Sequence, residues 1–218
     1  MAARHAAATI DLGTGDGRYV LATAAAQPDR LVVGVDASAA AMATASRRAA
    51  ARPRRGGLPN ALFVVAAAEA LPCELDGVAD LVTVHFPWGS LLRGLLGADP
   101  AIMAGLTRVM RPGAALSVLL SSTSRDRGAG VEPVGKATLQ ALTGAYGRYG
   151  LTVAEVRPAT PADVAAARSS WGKRLGAGVQ RPAWLLRARL EGTDTPSPRG
   201  GADGAAASAR YLPICSAC

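Results

Sequence analysis

Short apolar runs rich in β-branched residues alternate along the chain with Ala-rich runs that have helical character. The apolar runs predict strands at residues 7–12, 30–36, 61–66, 80–86 and 114–120, with two late strands at 151–157 and 183–190. The Ala-rich runs predict helices at 18–27, 37–51, 99–110 and 136–149, and the turn signal Arg111-Pro112-Gly113 is expected to introduce the fifth strand. Strands and helices alternating at this spacing predict βαβ units, a parallel sheet and helices on both faces.

Two segments do not follow this alternation. Residues 158–182, between the last two strands, are long for a connection in a compact domain, so we expect them to be functional or partly helical. From Gly192 onwards the chain is rich in Gly, Pro, Ser and Ala. The sequence therefore predicts one domain over residues 1–191 and a disordered tail over 192–218.

A glycine-rich loop follows the first strand, with the sequence Asp11-Leu-Gly-Thr-Gly-Asp-Gly17. Gly13, Gly15 and Gly17 allow a sharp turn and a close approach of backbone to a ligand. Asp36 ends the second strand and is placed to accept hydrogen bonds from ribose hydroxyls. These features fit a dinucleotide or S-adenosylmethionine, or a structural turn that holds no cofactor.

The charges around the loop favour S-adenosylmethionine over a dinucleotide. Arg18 stands where the dinucleotide fingerprint has its third glycine, and the carboxylates of Asp11 and Asp16 would repel a pyrophosphate. S-adenosylmethionine has no phosphate, and its ammonium and sulfonium groups would be attracted instead. Glu69, after the third strand, is placed to accept a hydrogen bond from an adenine amino group.

A Pro-Trp pair follows the fourth strand, in the segment from His85 to Gly94. Ligands of open α/β sheets bind at the carboxyl ends of the strands, so this segment is expected to line the site. Amino-methyltransferases of nucleic acids usually carry Asn or Asp before this element to hold an exocyclic amine, and neither is present here. The target atom is therefore expected to be a ring nitrogen. The alternative for Trp88 itself is that it is simply a core residue.

A second tryptophan, Trp171, lies among polar and cationic residues in the long late connection. Two indoles in loops at one edge of a sheet could sandwich a flipped nucleobase, and stacking contributes roughly 1–3 kcal/mol per base. Trp184 begins an apolar strand and is expected in the core. His85 is expected to have a structural role at the end of its strand, because a ring nitrogen needs no general base.

The charge balance points to a polyanionic partner. The chain has 24 basic and 16 acidic residues, a formal net charge of +8 and a pI near 10.2. Two stretches contain basic residues and no acidic ones, although any one of these side chains could simply be solvated. The basic residues expected to bind RNA are Arg47, Arg48, Arg52, Arg54, Arg55, Lys173, Arg174 and Arg181.

The composition and the remaining motifs exclude several classes of protein. Hydrophobic residues make up 50% of the chain, which excludes a wholly disordered chain, a fibrous protein and a disulfide-rich mini-protein. No apolar window is long enough for a membrane span and no signal peptide is evident, so a cytoplasmic protein with reduced cysteines is expected. Cys215 and Cys218 have C-x-x-C spacing but no further ligands, so no metal site is predicted.

Five segments together resemble one family: DLGTGDGRYV, RLVVGVDAS, AEALP, PWGSLLRG and SSWGKRL. They are similar to the 16S ribosomal RNA adenine 1408 N1-methyltransferases, which include aminoglycoside-resistance enzymes of the kanamycin–apramycin type. The similarity spans roughly residues 9–190. It implies a Rossmann-like, class I S-adenosylmethionine-dependent methyltransferase fold, with a seven-stranded, mostly parallel sheet and an antiparallel last strand.

The resemblance also implies roles for individual residues. Trp88 and Trp171 would bracket the target adenine, and Ser169 would support the donor and the base. The 16S rRNA within the 30S subunit would be the partner of a monomeric enzyme. The residues expected to bind S-adenosylmethionine are Asp11, Gly13, Gly15, Asp36, Ala37, Ala68, Glu69, Phe86, Pro87 and Ser90.

One feature departs from the family pattern, and alternative functions remain open. Family members carry an N-terminal β-hairpin before the first strand, whereas only eight residues precede Thr9 here, so the hairpin is expected to be absent or truncated. The alternatives are a methyltransferase of another RNA base or of a small molecule, and a non-catalytic RNA-binding protein on the same scaffold.

Overall fold

The alternating pattern folds into one seven-stranded sheet with helices on both faces. The computed structural model describes residues 5–192, so the predicted tail and its two cysteines lie outside the described residues. The strands are β1 (Ala7–Leu12), β2 (Arg30–Asp36), β3 (Ala61–Val65), β4 (Ala79–His85), β5 (Met110–Leu120), β6 (Leu151–Pro158) and β7 (Trp184–Leu190). The helices are α1 (Arg18–Ala26), α2 (Ala39–Ala49), α3 (Gly89–Gly97), α4 (Pro100–Arg108), α5 (Lys136–Gly147), α6 (Pro161–Ala166) and α7 (Ser170–Leu175).

The strand order is β3-β2-β1-β4-β5-β7-β6. Strands β1 to β5 pair in parallel, and β7 runs antiparallel to both β5 and β6. This confirms the expected class I methyltransferase architecture. The order reverses direction between β1 and β4, and a crevice opens at the carboxyl ends of the strands at such a switch point. The register there places Asp11 of β1 opposite Thr83 of β4.

The core forms three clusters because the side chains of each strand alternate between the two faces of the sheet. The largest lies under α3, α4 and α5 and includes Leu92, Leu106 and Leu139. A smaller cluster lies between the sheet and α1 and α2, around Val20. The third surrounds Phe86 and packs beneath the connection that carries α6 and α7.

The helices begin where local hydrogen bonds satisfy their first backbone amides. Ser38 caps α2 by accepting from the amide of Ala41, and Asp99 caps α4. At α6, Thr160 and Asp163 form a reciprocal capping box. The long late connection therefore contains two short helices, which confirms the expectation that it is partly helical.

One local prediction was wrong, and one helix was not predicted. The strand β5 begins at Met110, so Arg111-Pro112-Gly113 lies within it and not before it. The pairing with β4 shifts from Ala79↔Met110 to Leu81↔Ala115, and Gly113 has φ +78°, so this turn-like sequence forms a bulge. The segment after Trp88 forms helix α3, whose Gly94 packs closely against Ile102 of α4.

The described residues contain neither a candidate membrane span nor a candidate metal cluster. Within residues 5–192, none of the helices combines the length and the apolar character needed to cross a bilayer. In the same range, no group of three or more His, Cys, Asp or Glu side chains is arranged to hold a metal ion.

Candidate active site

The glycine loop between β1 and α1 is held against the end of β2. Gly13 and Gly15 have φ values of +74° and +57°, a conformation that L side chains rarely adopt. The Gly15 amide donates to Asp36 Oδ2 at 2.8 Å, and the Ser38 amide donates to Asp36 Oδ1 at 2.8 Å. A Cβ on Gly13 would lie 2.8 Å from Leu91 Cδ2. Glycine therefore sets both the turn and the close packing of this loop.

Asp11 lies at the floor of the site with only 2% of its surface exposed. Its Oδ1 accepts from Thr83 Oγ1 at 2.8 Å and contacts His85 Nδ1 at 3.1 Å. Its Oδ2 accepts from Thr14 Oγ1 at 2.6 Å. These contacts offset the cost of burying the carboxylate. A carboxylate oxygen has two lone pairs, so Oδ2 retains the capacity to accept a further hydrogen bond.

The ring of Tyr19, from the first turn of α1, packs edge-on against His85 with the centroids 4.4 Å apart. Burial and the negative charge of Asp11 together raise the pKa of Tyr19, so its hydroxyl stays neutral at physiological pH. Asp11, Thr83, His85 and Tyr19 therefore form a buried polar cluster directly beneath the glycine loop.

Two adjoining cavities open at the carboxyl ends of the strands. The main cavity has a volume of about 300 Å³ and the side cavity about 180 Å³. Gly13, Asp36 and Leu91 line both of them. The predicted residues that line the main cavity are Asp11, Gly13, Gly15, Asp36, Phe86, Pro87, Trp88, Ser169 and Trp171. Those that line the side cavity are Gly13, Asp36, Ala37, Ala68, Glu69 and Ser90.

Trp88 and Trp171 meet at the mouth of the main cavity, where they are 38% and 37% exposed. Their ring centroids are 5.9 Å apart at an interplanar angle of 62°, an edge-to-face contact. Arg174 places its guanidinium carbon 5.6 Å from the centroid of the Trp171 ring. Trp88 directly precedes α3, and Trp171 lies within α7, so the prediction that Trp171 lies in a loop was wrong.

Long-range packing sets the position of α7. Ser169 caps the helix by accepting from the Gly172 amide at 3.0 Å. A Cβ on Gly172 would lie 2.6 Å from the ring of Phe86, so only glycine lets the helix pack this closely. Phe86 and Arg168 have φ values of +51° and +47° although neither is glycine. Such strain persists only where surrounding contacts hold it, and both residues line the main cavity.

Basic residues from both predicted stretches line one groove beside the main cavity. This basic groove has a volume of about 720 Å³ and is lined by Arg18, Arg48, Arg168 and Lys173, with no acidic residue among its lining. Arg48 comes from the end of α2 and Lys173 from α7, so the fold joins stretches that are far apart in sequence. Arg18 also pairs with Asp16 at 3.2 Å.

Arg181 is a correction to the predicted RNA-binding set. Its side chain is only 12% exposed and forms an ion pair with Asp126. It also lies within 3.4 Å of Thr123 Oγ1. This arginine therefore holds the β6–β7 connection onto the segment after β5 and is not free to contact phosphates. The other predicted basic residues are exposed, namely Arg47, Arg48, Arg52, Arg54, Arg55, Lys173 and Arg174.

Several residues of the site were not predicted from the sequence. Thr83 bonds Asp11 because the strand order places β4 beside β1, and that order is not visible in the sequence. Tyr19 and Leu91 come from the first turns of helices; both lie within segments that carry the family resemblance, but neither was assigned a role. Arg168 lies between α6 and α7, in the segment already suspected of being functional. A correct prediction of the strand order would have placed Thr83 opposite Asp11.

Comparisons with known proteins agree with this geometry. The sequence profile of the family described as NpmA, 16S rRNA (adenine(1408)-N(1))-methyltransferase, matches residues 1–190. The 16S rRNA (adenine(1408)-N(1))-methyltransferase of Streptoalloteichus tenebrarius is 40% identical over 192 residues, which cover 86% of this chain and 87% of that protein.

Two solved structures have the same fold. A point mutant of the 16S rRNA (adenine(1408)-N(1))-methyltransferase from Catenulisporales acidiphilia, solved with its cosubstrate SAM, matches with a TM-score of 0.82 and 34% identity over 90% of this chain and 91% of that one. The aminoglycoside resistance methyltransferase NpmB1 matches with a TM-score of 0.74 and 38% identity, over 87% and 89% of the two chains. Profile, sequence and structure thus agree that this chain belongs to the 16S rRNA (adenine(1408)-N(1))-methyltransferase family.

Proposed function

We propose that this protein transfers a methyl group from S-adenosylmethionine to N1 of adenine 1408 of 16S rRNA, within the 30S subunit, and thereby confers aminoglycoside resistance. The observation that carries the proposal is the pair of partly exposed indoles, Trp88 and Trp171, at the mouth of a cavity floored by the glycine loop. This is the arrangement expected for a flipped base beside a bound methyl donor.

The residues present fit S-adenosylmethionine. Asp11, Asp16 and Asp36 line the main cavity, and such a concentration of carboxylates favours a cationic ligand and opposes a pyrophosphate. Asp36 would hold the ribose, and Glu69 with Ala68 would hold the adenine of the donor in the side cavity. When bound, the donor supplies a methyl group already activated on a positively charged sulfur.

The two tryptophans would position the target base. The two rings touch edge to face, with their centroids 5.9 Å apart, so no base fits between them in this arrangement. A base stacked between two parallel rings needs a separation of about 7 Å between those rings, which is two stacking distances. One indole must therefore rotate as the base enters. N1 of adenine carries its lone pair without prior deprotonation, so catalysis needs positioning and no general base. The indole faces then stabilise the positive charge that develops on the ring.

The basic groove would place the rRNA relative to the cavity. Arg48, Arg168 and Lys173 are suited to phosphate contacts, which orient a nucleic acid without selecting a base. Selection of one adenine would then depend on the folded shape of the RNA, and for this reason we propose the assembled 30S subunit as substrate. We further propose that the enzyme acts as a monomer, in the cytoplasm where the subunits are found.

The test is transfer of radiolabelled methyl from S-adenosylmethionine to purified 30S subunits, with the modified nucleotide mapped by a reverse-transcription stop. We expect a stop at adenine 1408 with 30S subunits, and little incorporation into protein-free 16S rRNA. Expression in a susceptible bacterium should raise the inhibitory concentrations of kanamycin and apramycin. Donor binding without a stop at adenine 1408 would contradict the proposed target, and absence of donor binding would contradict the proposed reaction.

A further inference from the structure

A groove crosses one face of the sheet over β4, β5 and β7. This sheet-face groove has a volume of about 460 Å³, and it is bordered by Tyr19 of α1 on one side and by Asp163 and Ala166 of α6 on the other. The side chains that form its floor alternate along the three strands: Leu81, Thr83 and His85 of β4, Ala115, Ser117 and Leu119 of β5, and Leu185, Arg187 and Arg189 of β7.

The two faces of these strands are covered to different extents. On the opposite face Val82, Leu116 and Leu186 are at most 1% exposed, because they belong to the core beneath α3, α4 and α5. On the groove side Leu81 and Ala115 are only half-buried. The described residues therefore leave part of an apolar floor in contact with water, and covering it would be favourable.

The charged residues that line the groove already have partners. Arg187 pairs with Glu155 at 3.3 Å, and Arg189 donates to a backbone carbonyl at 2.8 Å. Asp163 pairs with Arg157 at the other end of the groove. These three side chains need no charged occupant, so the surface that is still to be covered is the apolar part of the floor.

The floor offers side-chain contacts and no backbone pairing. Each of the three strands lies between two others: β4 pairs with β1 and β5, β5 with β4 and β7, and β7 with β5 and β6. Their backbone hydrogen bonds are directed along the sheet to these neighbours. An occupant of the groove therefore binds through apolar side chains and does not need to add a strand.

The chain has one apolar segment after its last strand, within the part that lies outside the described residues. From 193 to 210 the sequence contains no Val, Ile, Leu, Met, Phe, Tyr or Trp, whereas Tyr211-Leu-Pro-Ile214 has three such residues in four. Pro213 has no amide hydrogen, which is unfavourable in a central strand but of no consequence on a face that offers only side-chain contacts. The chemistry of this segment thus matches the chemistry of the groove.

The end of β7 brings this segment within reach of the groove. Arg189, next to the end of β7, lines the groove opposite Ala115 of β5. Residues 193–210 are rich in Gly, Ala and Ser, and a linker of that composition and length has a root-mean-square span of about 23 Å. The floor from Arg189 to Leu185 extends over only about 13 Å. A segment tethered this closely has an effective concentration on the order of millimolar, so weak contacts are sufficient to hold it.

We propose that segment 211–214 of this chain docks in the sheet-face groove, with the side chains of Leu212 and Ile214 on its apolar floor. The proposal involves neither the methyl donor nor RNA, so it stands or falls separately from the proposed function. Tyr19 and His85 line both the groove and the main cavity, and the docked segment lies directly behind the proposed donor site.

The experiment tests this proximity by disulfide formation in the full chain. Ser117→Cys introduces a thiol on the groove floor, and Cys215 directly follows the segment, while Cys218→Ser leaves Cys215 as the single thiol of the tail. The matched control is Ala104→Cys in the same background, because Ala104 is exposed on α4, over the opposite face of the sheet. Disulfides formed with diamide are identified by peptide mass spectrometry. Thermal unfolding checks that each variant is folded, and Ala115→Cys replaces Ser117→Cys if that variant is not.

We expect the disulfide between position 117 and Cys215 to form about tenfold faster than the one between position 104 and Cys215, at a rate that does not depend on protein concentration. Adding Leu212→Asp and Ile214→Asp should reduce this rate to that of the control, because a carboxylate is costly on an apolar floor. Ala205→Asp with Ala207→Asp adds the same charge to the linker and should leave the rate unchanged.

Two results would overturn the proposal. Equal rates at positions 117 and 104, or a rate that the two substitutions in the segment do not change, would show that the segment does not dock in the groove. A disulfide-linked dimer whose yield rises with protein concentration would assign the groove to the segment of a second copy instead.

Discussion

The glycine loop after β1 and the connection between β6 and β7 line the same cavity, but different contacts hold them in place. In the loop, Thr14 bonds Asp11 three residues away, and Gly15 bonds Asp36 across a separation of 21 residues. In the connection, Arg181 bonds Asp126 across 55 residues, and Ser121 donates to the carbonyl of Pro182 across 61. The positive φ angles of the loop all belong to glycines. The connection has positive φ at Gly176 and Gly178 but also at Arg168, and it packs against Phe86, a second residue other than glycine with positive φ.

This difference separates two tasks of the enzyme. The proposed donor side is preorganised by hydrogen bonds to Asp11 and Asp36 and by glycines suited to their backbone conformation. The proposed target side depends on long-range packing that holds strained residues, and in the proposed mechanism its two indoles change their contact as a base enters. Donor binding and target positioning should therefore fail independently, and four substitutions test this separation.

The largest effect is expected from Trp171→Ala. Loss of one stacking face costs roughly 1–3 kcal/mol, so methyl transfer to 30S subunits should fall by about 100-fold. The Kd for S-adenosylmethionine, measured by calorimetry, should stay within about twofold of the wild type. The matched control is Trp184→Phe, since Trp184 packs at the edge of the main core and its Nε1 has no hydrogen-bond partner within the described chain. A parallel loss of donor affinity in Trp171→Ala would show that the two sides are not separable.

Asp36→Ala should weaken donor binding and leave substrate binding intact, which is the opposite of the result expected for Trp171→Ala. This removes the acceptor for the Gly15 and Ser38 amides and the proposed ribose contact. Hydrogen bonds to charged groups contribute about 1.5–3 kcal/mol, so the Kd for the donor should increase by about 30-fold. Binding to 30S subunits, measured by filter retention, should be unchanged. The control is Asp29→Ala, in the turn before β2, which should affect neither.

Substitutions in the basic groove should weaken substrate binding alone. Arg48→Ala and Lys173→Ala should each reduce the affinity for 30S subunits by about fivefold and lower the slope of log K against log salt by about 1. Arg148→Ala, an exposed arginine at the end of α5, removes the same charge outside the groove. Equal losses in all three variants would indicate a general charge effect instead of a groove.

The smallest effect concerns the stability of the β6–β7 connection. Asp163 accepts from Thr160 and pairs with Arg157, and these contacts lower its pKa from 3.8. A carboxyl group with a lowered pKa stabilises the fold above its unfolded-state pKa, and that contribution is lost as the pH falls. Asp163→Asn should therefore reduce the free energy of unfolding by about 1 kcal/mol at pH 7, the usual value of a helix cap. Urea denaturation should show this difference shrinking as the pH approaches 2.

The sequence located the proposed donor side more completely than the proposed RNA-binding surface. Each predicted donor residue, from Asp11 to Ser90, lines the main or the side cavity, because the carboxyl ends of parallel strands meet at one edge of the sheet. Arg181 was wrongly assigned to RNA because its partner, Asp126, is far away in sequence. The helical position of Trp171 and the existence of α3 were missed. A glycine packs closely in each of these helices, Gly172 against Phe86 and Gly94 against Ile102, and no local pattern shows such contacts.

The sequence by itself determined the strand and helix pattern, the glycine loop with its carboxylates, the two acid-free basic stretches and the resemblance to a methyltransferase family. These depend on side-chain periodicity, backbone freedom and charge, which are local properties of the chain. Only the tertiary structure decided that Thr83 and His85 meet Asp11, that the two basic stretches border one groove, and that Trp88 and Trp171 touch. The physical reason is that these contacts arise from strand order and close packing between segments distant in the chain, which no local pattern specifies.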